Sequence, residues 1–322
     1  MSAENYGRFR DLLRRGEFRG ALALAEEECM RRGGNDVFWL NQQALARMRM
    51  GCPEKAIRLS EQALALDPRN AYAMVCRADA LRELGKTTEA IAGYEEAARF
   101  EKTAPRARKG LLECFATGHE WSNILVRLAE WGLPEMEAAP WRIKALGALG
   151  RNDEALEVCR KWLQLQPDHP SALWELVRLE IEKEGLAVVR DRYGKLARIP
   201  SRPPVYGEIH ASLCARSGQV DEAASQYARL ERSAASPRLK RKEAFLMARN
   251  MREKEAIPIM EELLRIDPRD MYIHSSYQAA CGRIGGIPRA VNFYRELLAI
   301  HPDERSLHGR IRKLQRKLEG QG

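Results

Sequence analysis

The chain has 322 residues, 45% of them hydrophobic, 31% charged and 7% aromatic, with a net charge of +9. No apolar run reaches the roughly eighteen residues of a membrane span, long alternating β-branched runs are absent, and Ala, Leu, Glu and Arg dominate, so the composition favours a soluble helical protein. The basic excess admits acidic protein segments, nucleic acid or anionic membrane as partners.

The seven Cys are scattered, from Cys29 to Cys281, without a C-x-x-C pair. That pattern fits reduced core thiols and no disulfide framework or zinc site. The segment Met1–Arg8 has no apolar signal region, so cytoplasmic residence is the expectation.

The chain repeats itself. Leu64-Ala65-Leu66-Asp67-Pro68-Arg69-Asn70 closes an apolar helix with Asp-Pro, and Leu263 to Asp270 is nearly the same phrase. Looser copies end at Pro167 and Pro302, and Pro268 and Pro302 stand 34 residues apart. A period of this length is the signature of stacked supersecondary units. A Gly followed five residues later by Ala sets the register: Gly16 and Ala21 in a first unit over about 2–36, Gly51 and Ala56 over 37–70, Gly85 and Ala90 over 71–104. In 71–104, Met74, Ala78 and Leu81 share one helical stripe, and Ala90, Tyr94 and Ala97 share the next. Unit 105–135 is degenerate, with Gly118-His119-Glu120-Trp121 at its turn. Unit 136–169 has Gly150 and Ala155, and Pro140 is expected to start its first helix late. Unit 170–203 ends in Ile199-Pro200-Ser201-Arg202-Pro203-Pro204, a candidate bend or an ordinary inter-repeat loop. Unit 204–236 has Gly218 and Ala223, and unit 237–270 puts Asn250-Met251 where the turn Gly belongs. Unit 271–304 has Gly285 and Ala290. Residues 305–322 are expected to be a basic capping helix and tail, with Leu307, Ile311, Leu314 and Leu318 on one face covering the last unit.

The small residue in a first helix, Gly in the turn, Ala and Tyr in the second helix, then Pro, together resemble the tetratricopeptide repeat. The resemblance implies an all-α, right-handed superhelix of about nine hairpins over 1–304, with a concave groove and the capping helix after it. It also implies that positions 2, 5, 9, 12 and 13 of each first helix face the groove. On this sequence those positions carry Arg106, Lys109, Lys144, Trp174, Arg178, Arg216, Arg238, Arg241, Arg249, Tyr272 and Arg283. Acids there are fewer: Asp79, Glu83, Glu113, Glu137 and Glu208. The carboxylate clamp of chaperone-type members is not kept, since Asn41 and Gln42 are followed in the next unit by Val75 and Cys76.

Other signals dissolve on inspection. Leu84-Gly85-Lys86-Thr87 resembles the tail of a phosphate loop, but the Gly required five residues earlier is Ala80. No His pair has metal-ligand spacing, and no cofactor is expected. The reading is a non-catalytic interaction module, scaffold, adaptor or chaperone, holding an extended or helical acidic protein segment in its groove. The competing readings are a nucleic-acid-binding helical array and a regulatory subunit of an enzyme. The irregular first-helix positions, Asn41 then Lys109 then Trp174, argue against a base-reading code.

Overall fold

The computed structural model describes residues 3–234 and 236–319. Met1 and Ser2 at the head of the expected array, Ala235 within it, and residues 320–322 of the expected tail lie outside the described residues. The described residues form nineteen α-helices and no strand. The chain divides into two compact units, Met1–Val158 and Cys159–Gly322, and the division falls within the tenth helix.

In the first unit, α1 (Ala3–Arg14) and α2 (Phe18–Arg31) form the opening hairpin. Then come α3 (Val37–Arg49) with α4 (Pro53–Leu66), α5 (Ala71–Glu83) with α6 (Thr87–Ala97), and α7 (Ala104–Thr117) with α8 (Trp121–Trp131). α9 (Glu135–Ala148) follows and leads into α10 (Asn152–Leu165), where the units meet in sequence. The second unit continues with α11 (Pro170–Glu184) and α12 (Leu186–Leu196), α13 (Pro204–Arg216) and α14 (Val220–Ala234), and α15 (Pro237–Arg249) and α16 (Glu253–Ile266). It ends with α17 (Met271–Arg283) and α18 (Ile287–Ile300), then α19 (Arg305–Glu319). The 34-residue register therefore marks one hairpin per unit, followed by a single terminal helix.

The turn chemistry explains the register. After α5 the chain must reverse within three residues. Gly85 does this at φ 74°, while Lys86 N–H returns to the Leu81 carbonyl at 2.9 Å. That left-handed position strains any residue with a Cβ. Met251 nevertheless occupies the equivalent position at φ 59°, and His119 does so at φ 58°. The Asp-Pro phrase is a second device. Asp67 accepts from Arg69 N–H at 3.1 Å, and Asn70 caps α5 by accepting from Ala73 N–H at 3.0 Å. Asp267 and Asp270 repeat this before α17, with Asp270 accepting from Tyr272 N–H and Ile273 N–H. Pro68 thus ends one hairpin, and the polar residue two positions later starts the next.

The stripes read from sequence are the core. Met74, Ala78, Leu81, Ala90, Tyr94 and Ala97 are all buried. Tyr277, Phe293 and Tyr294 form the corresponding aromatic cluster of the second unit, with ring centroids 5.2–5.9 Å apart. α19 buries Leu307, Ile311 and Leu314 against the preceding hairpin, and Leu318 is partly buried there. Pro200 to Pro203 lie in the connection between α12 and α13, which pack on one another.

Pro140 does not delay its helix. α9 begins at Glu135 and carries Pro140 in its interior. Proline removes a helical hydrogen bond there, but Ala138, Ala139, Ile143 and Leu146 are buried on both sides of it. Arg142 also grips Glu135 at 2.9 and 3.0 Å across the proline turn. Packing and that pair hold the helix through the break. Pro258 sits similarly inside α16, a position the sequence pattern did not flag.

Candidate functional site

The first helices of successive hairpins present their side chains to open troughs, one set in each unit. In the first unit, α3, α5 and α7 line a cavity of about 540 Å³. Its charges are mixed: Arg82, Arg106 and Lys109 are engaged, while Arg49 meets no carboxylate among the described residues. Arg106 binds Asp79, which also accepts from the Tyr94 hydroxyl at 2.6 Å. Arg82 reaches Glu113 at 3.2 Å, and Lys109 approaches the same carboxylate at 3.9 Å. Burial works against the charge on Arg106, yet Asp79, together with Cys76 and Tyr94, holds the guanidinium above its ordinary value. Glu83 lines the cavity as well. Lys144 lies outside it, its ammonium over the rings of Trp121 and Trp141 at 5.7 and 5.6 Å.

In the second unit, two cavities of about 650 and 420 Å³ share Phe245 and Arg249. The larger lies between α15 and α17, and the smaller between α13, α14 and α15. Neither has an acidic residue in its lining. Arg241 binds Asp270, whose side chain is only 6% exposed. Arg283 holds Glu253, also 6% exposed, at 2.5 Å. Lys242 reaches Glu208 at 3.4 Å and lies over Trp174 at 5.5 Å and Tyr227 at 5.9 Å. Arg216 and Arg249 line the same surface, and among the described residues neither meets a carboxylate. Tyr272 is 79% exposed at one end.

The remaining expected groove residues stand apart from the cavities. Arg178 is held on its own helix by Glu175 at 2.9 Å and Glu182 at 3.0 Å. Arg238 pairs with Glu208 at 2.5 Å. Trp174 contributes through Lys242. Sequence reasoning passed over Lys242, Phe245, Met251 and Ser275. Phe245 and Ser275 occupy positions 9 and 5 of their first helices, so the positional pattern marked them, but attention to charge and exposed aromatics left them out.

One pair has the makings of a nucleophile and base. Cys214 Sγ lies 3.3 Å from His210 Nε2, four residues back on α13. That spacing was visible in the sequence and was missed. Burial pushes the thiol up and the imidazole down, which favours the neutral form of each over a thiolate–imidazolium pair. Burial likewise raises Cys76 to about 11 and Cys159 to about 12. No group of three or more His, Cys, Asp or Glu among the described residues could hold a metal ion. Among the described residues no helix is long and apolar enough to cross a membrane.

Residues 41–110 match the family model described as tetratricopeptide repeat. No curated protein matches the sequence. Among solved structures, the chain is similar to the TPR domain of P58(IPK), at 15% identity and TM-score 0.30, covering 99% of this chain and 98% of that one. A tetratricopeptide repeat protein from Parabacteroides merdae is 14% identical with TM-score 0.40, over 87% and 98% of the two chains. Yeast Tom70 is 12% identical with TM-score 0.41, over 98% and 96%. Residues 41–110 thus match the tetratricopeptide repeat, and the hairpins on either side follow in the same register.

Proposed function

We propose that the chain is a non-catalytic protein-interaction module whose second unit holds an extended acidic protein segment along α13, α15 and α17. The observation that carries this reading is the pair Arg216 and Arg249. They stand in a trough without acidic lining, where the neighbouring cations are already neutralised by buried carboxylates. An entering carboxylate finds guanidinium donors with no partner to displace. Phe245 and the exposed Tyr272 add apolar area beside them. The trough of the first unit is a poorer match, because Asp79, Glu83 and Glu113 line it and would repel the same segment.

The reading is tested by fluorescence anisotropy with a labelled Asp/Glu-rich peptide carrying one central aromatic, against a Lys-rich peptide of equal length. Arg216→Glu with Arg249→Glu should weaken the acidic peptide roughly thirtyfold, each reversed exposed pair contributing about 1 kcal/mol. Equal binding of both peptides, or unchanged binding by the double variant, would show that the trough does not select acidic segments.

A further inference from the structure

α19 carries six Lys or Arg and one Glu in fifteen residues, so one terminal helix holds more than half of the chain's net charge. We propose that its outer face is a sequence-independent docking surface for the phosphodiester backbone of double-stranded DNA. This surface is separate from the trough on α13, α15 and α17 and does not rest on that reading.

The helix divides its residues cleanly. Leu307, Ile311 and Leu314 are buried, and Arg305, Arg312, Lys313, Arg316 and Lys317 are exposed. At about 100° per residue, Arg305, Arg312 and Arg316 fall within roughly 40° of one another, opposite the buried seam. The stripe extends about 16 Å along the helix axis, and Lys313 and Lys317 lie along one side of it. Many surface cations in this chain are paired, among them Arg238, Arg252 and Arg283. These five are not: among the described residues none reaches a carboxylate. Arg312 makes only a long contact of 3.5 Å to the His308 carbonyl of its own helix.

The composition of that face selects the partner. A membrane-surface helix sinks its apolar side into the headgroup boundary. Here the apolar side is committed to the preceding hairpin, leaving no exposed large hydrophobic residue on α19. A protein interface needs aromatic or apolar anchors in a desolvated centre, and the exposed face offers none. What remains is a rigid line of cations on a rod about 10–12 Å across. It suits a fixed line of phosphates, where each contact releases a condensed counterion. Contacts to phosphate carry no sequence information, so the docking is sequence-independent.

The test measures anisotropy of the full chain with a labelled random-sequence duplex of about 24 base pairs across a potassium chloride series. Five phosphate contacts predict a slope of log K against log salt near −4.5, at about 0.9 per contact. The triple variant Arg305→Gln, Arg312→Gln, Arg316→Gln should lose about 2.7 of that slope and bind at least about tenfold more weakly. Its helicity, melting and acidic-peptide binding should stay as in the parent chain, since these side chains hold no part of the fold. A control with equal charge loss, Arg19→Gln, Arg58→Gln, Arg99→Gln, removes exposed arginines of the first unit. It should keep most of the slope. Equal weakening in the control, or full binding by the α19 variant, overturns the assignment. So does capture on phosphatidylglycerol vesicles under salt conditions where the duplex fails to bind.

Discussion

Gly110→Ala tests how the hairpins pack. Gly110 is buried on α7, and a Cβ there would lie 2.4 Å from Cε1 and Cζ of Tyr94 and 2.9 Å from Cε2. Carbon–carbon contacts settle at about 3.5–4.0 Å, so ring and helix must separate by more than about 1 Å. The ring cannot swing away freely. Tyr94 is fully buried, its hydroxyl donates to Asp79 at 2.6 Å and accepts from Arg82 at 3.3 Å, and Asp79 is itself held by Arg106. Replacing Gly by Ala inside a helix would otherwise gain about 1 kcal/mol. Overpacking costs about 1–3 kcal/mol, and disturbing a buried hydroxyl adds about 1 kcal/mol or more. The expected net effect is a destabilisation of about 1–3 kcal/mol. Gly282→Ala on α17 is the matched control. It is exposed, nothing lies within 4 Å of its Cβ position, and it should stabilise by about 0.5–1 kcal/mol. Urea unfolding followed by circular dichroism measures both. Tyr94→Leu in the Gly110→Ala background should recover part of the loss, giving a coupling energy in a double-mutant cycle. If Gly110→Ala matches or exceeds the parent stability, or if Tyr94→Leu leaves its cost unchanged, then the close approach of α7 to this ring does not constrain the stack.

Other outcomes follow from the same geometry. Arg241→Glu should destabilise by about 2–4 kcal/mol, because it leaves the nearly buried Asp270 beside a like charge, whereas Arg249→Glu should leave the unfolding free energy within about 0.5 kcal/mol. Met251→Gly should raise stability by about 1 kcal/mol in the same assay, since Met251 is 69% exposed and holds a left-handed backbone. Burial lowers the pKa of His274, whose Nδ1 lies 3.1 Å from the Tyr294 hydroxyl and whose Nε2 lies 2.9 Å from the Pro268 carbonyl. The folded state thus takes up a proton less readily than the unfolded chain. The contribution is full above the ordinary value of 6.5 and is lost as pH falls towards the lowered one. Melting midpoints at pH 7.5 and 5.5, on scales near that ordinary value, should differ less for His274→Gln than for the parent; an equal difference would refute the role.

The fold was legible because its determinants are local. Gly85 and Asp67-Pro68-Arg69-Asn70 each set a turn through their own backbone and side chains, and the apolar stripes need only helical spacing. Pro140 was misread because proline is judged locally, while the helix around it is held by buried Ala139, Ile143 and Leu146 and by Arg142 reaching back to Glu135. The site was less legible for a similar reason. Side-chain position along each first helix follows from the register, but the state of each charge depends on the neighbouring hairpin. Arg106 pairs with Asp79 across 27 residues, Arg241 with Asp270 across 29, and Arg238 with Glu208 and Arg283 with Glu253 across 30. Those separations are close to one repeat. A periodic sequence carries the information, but only when each base is compared with acids about one unit away.

That comparison changes what the net charge means. Counted along the sequence, the expected groove is basic in both halves of the chain. Counted after the ion pairs between neighbouring hairpins, Arg106, Arg238, Arg241 and Arg283 are largely spent on carboxylates of this same chain, and those bonds hold consecutive repeats together. Mutating them confuses loss of binding with loss of packing. An Arg241→Glu and Arg178→Glu double variant, chosen from sequence position alone, would do this at Asp270. The charge that a partner can use is what the fold leaves over, and it includes Arg216 and Arg249 within the second unit's trough and the outer face of α19. A pair already formed must be broken before it can grip a ligand, at a cost that offsets much of the new contact. Unpaired guanidinium groups carry no such cost, so recognition should depend on them before any of the paired arginines.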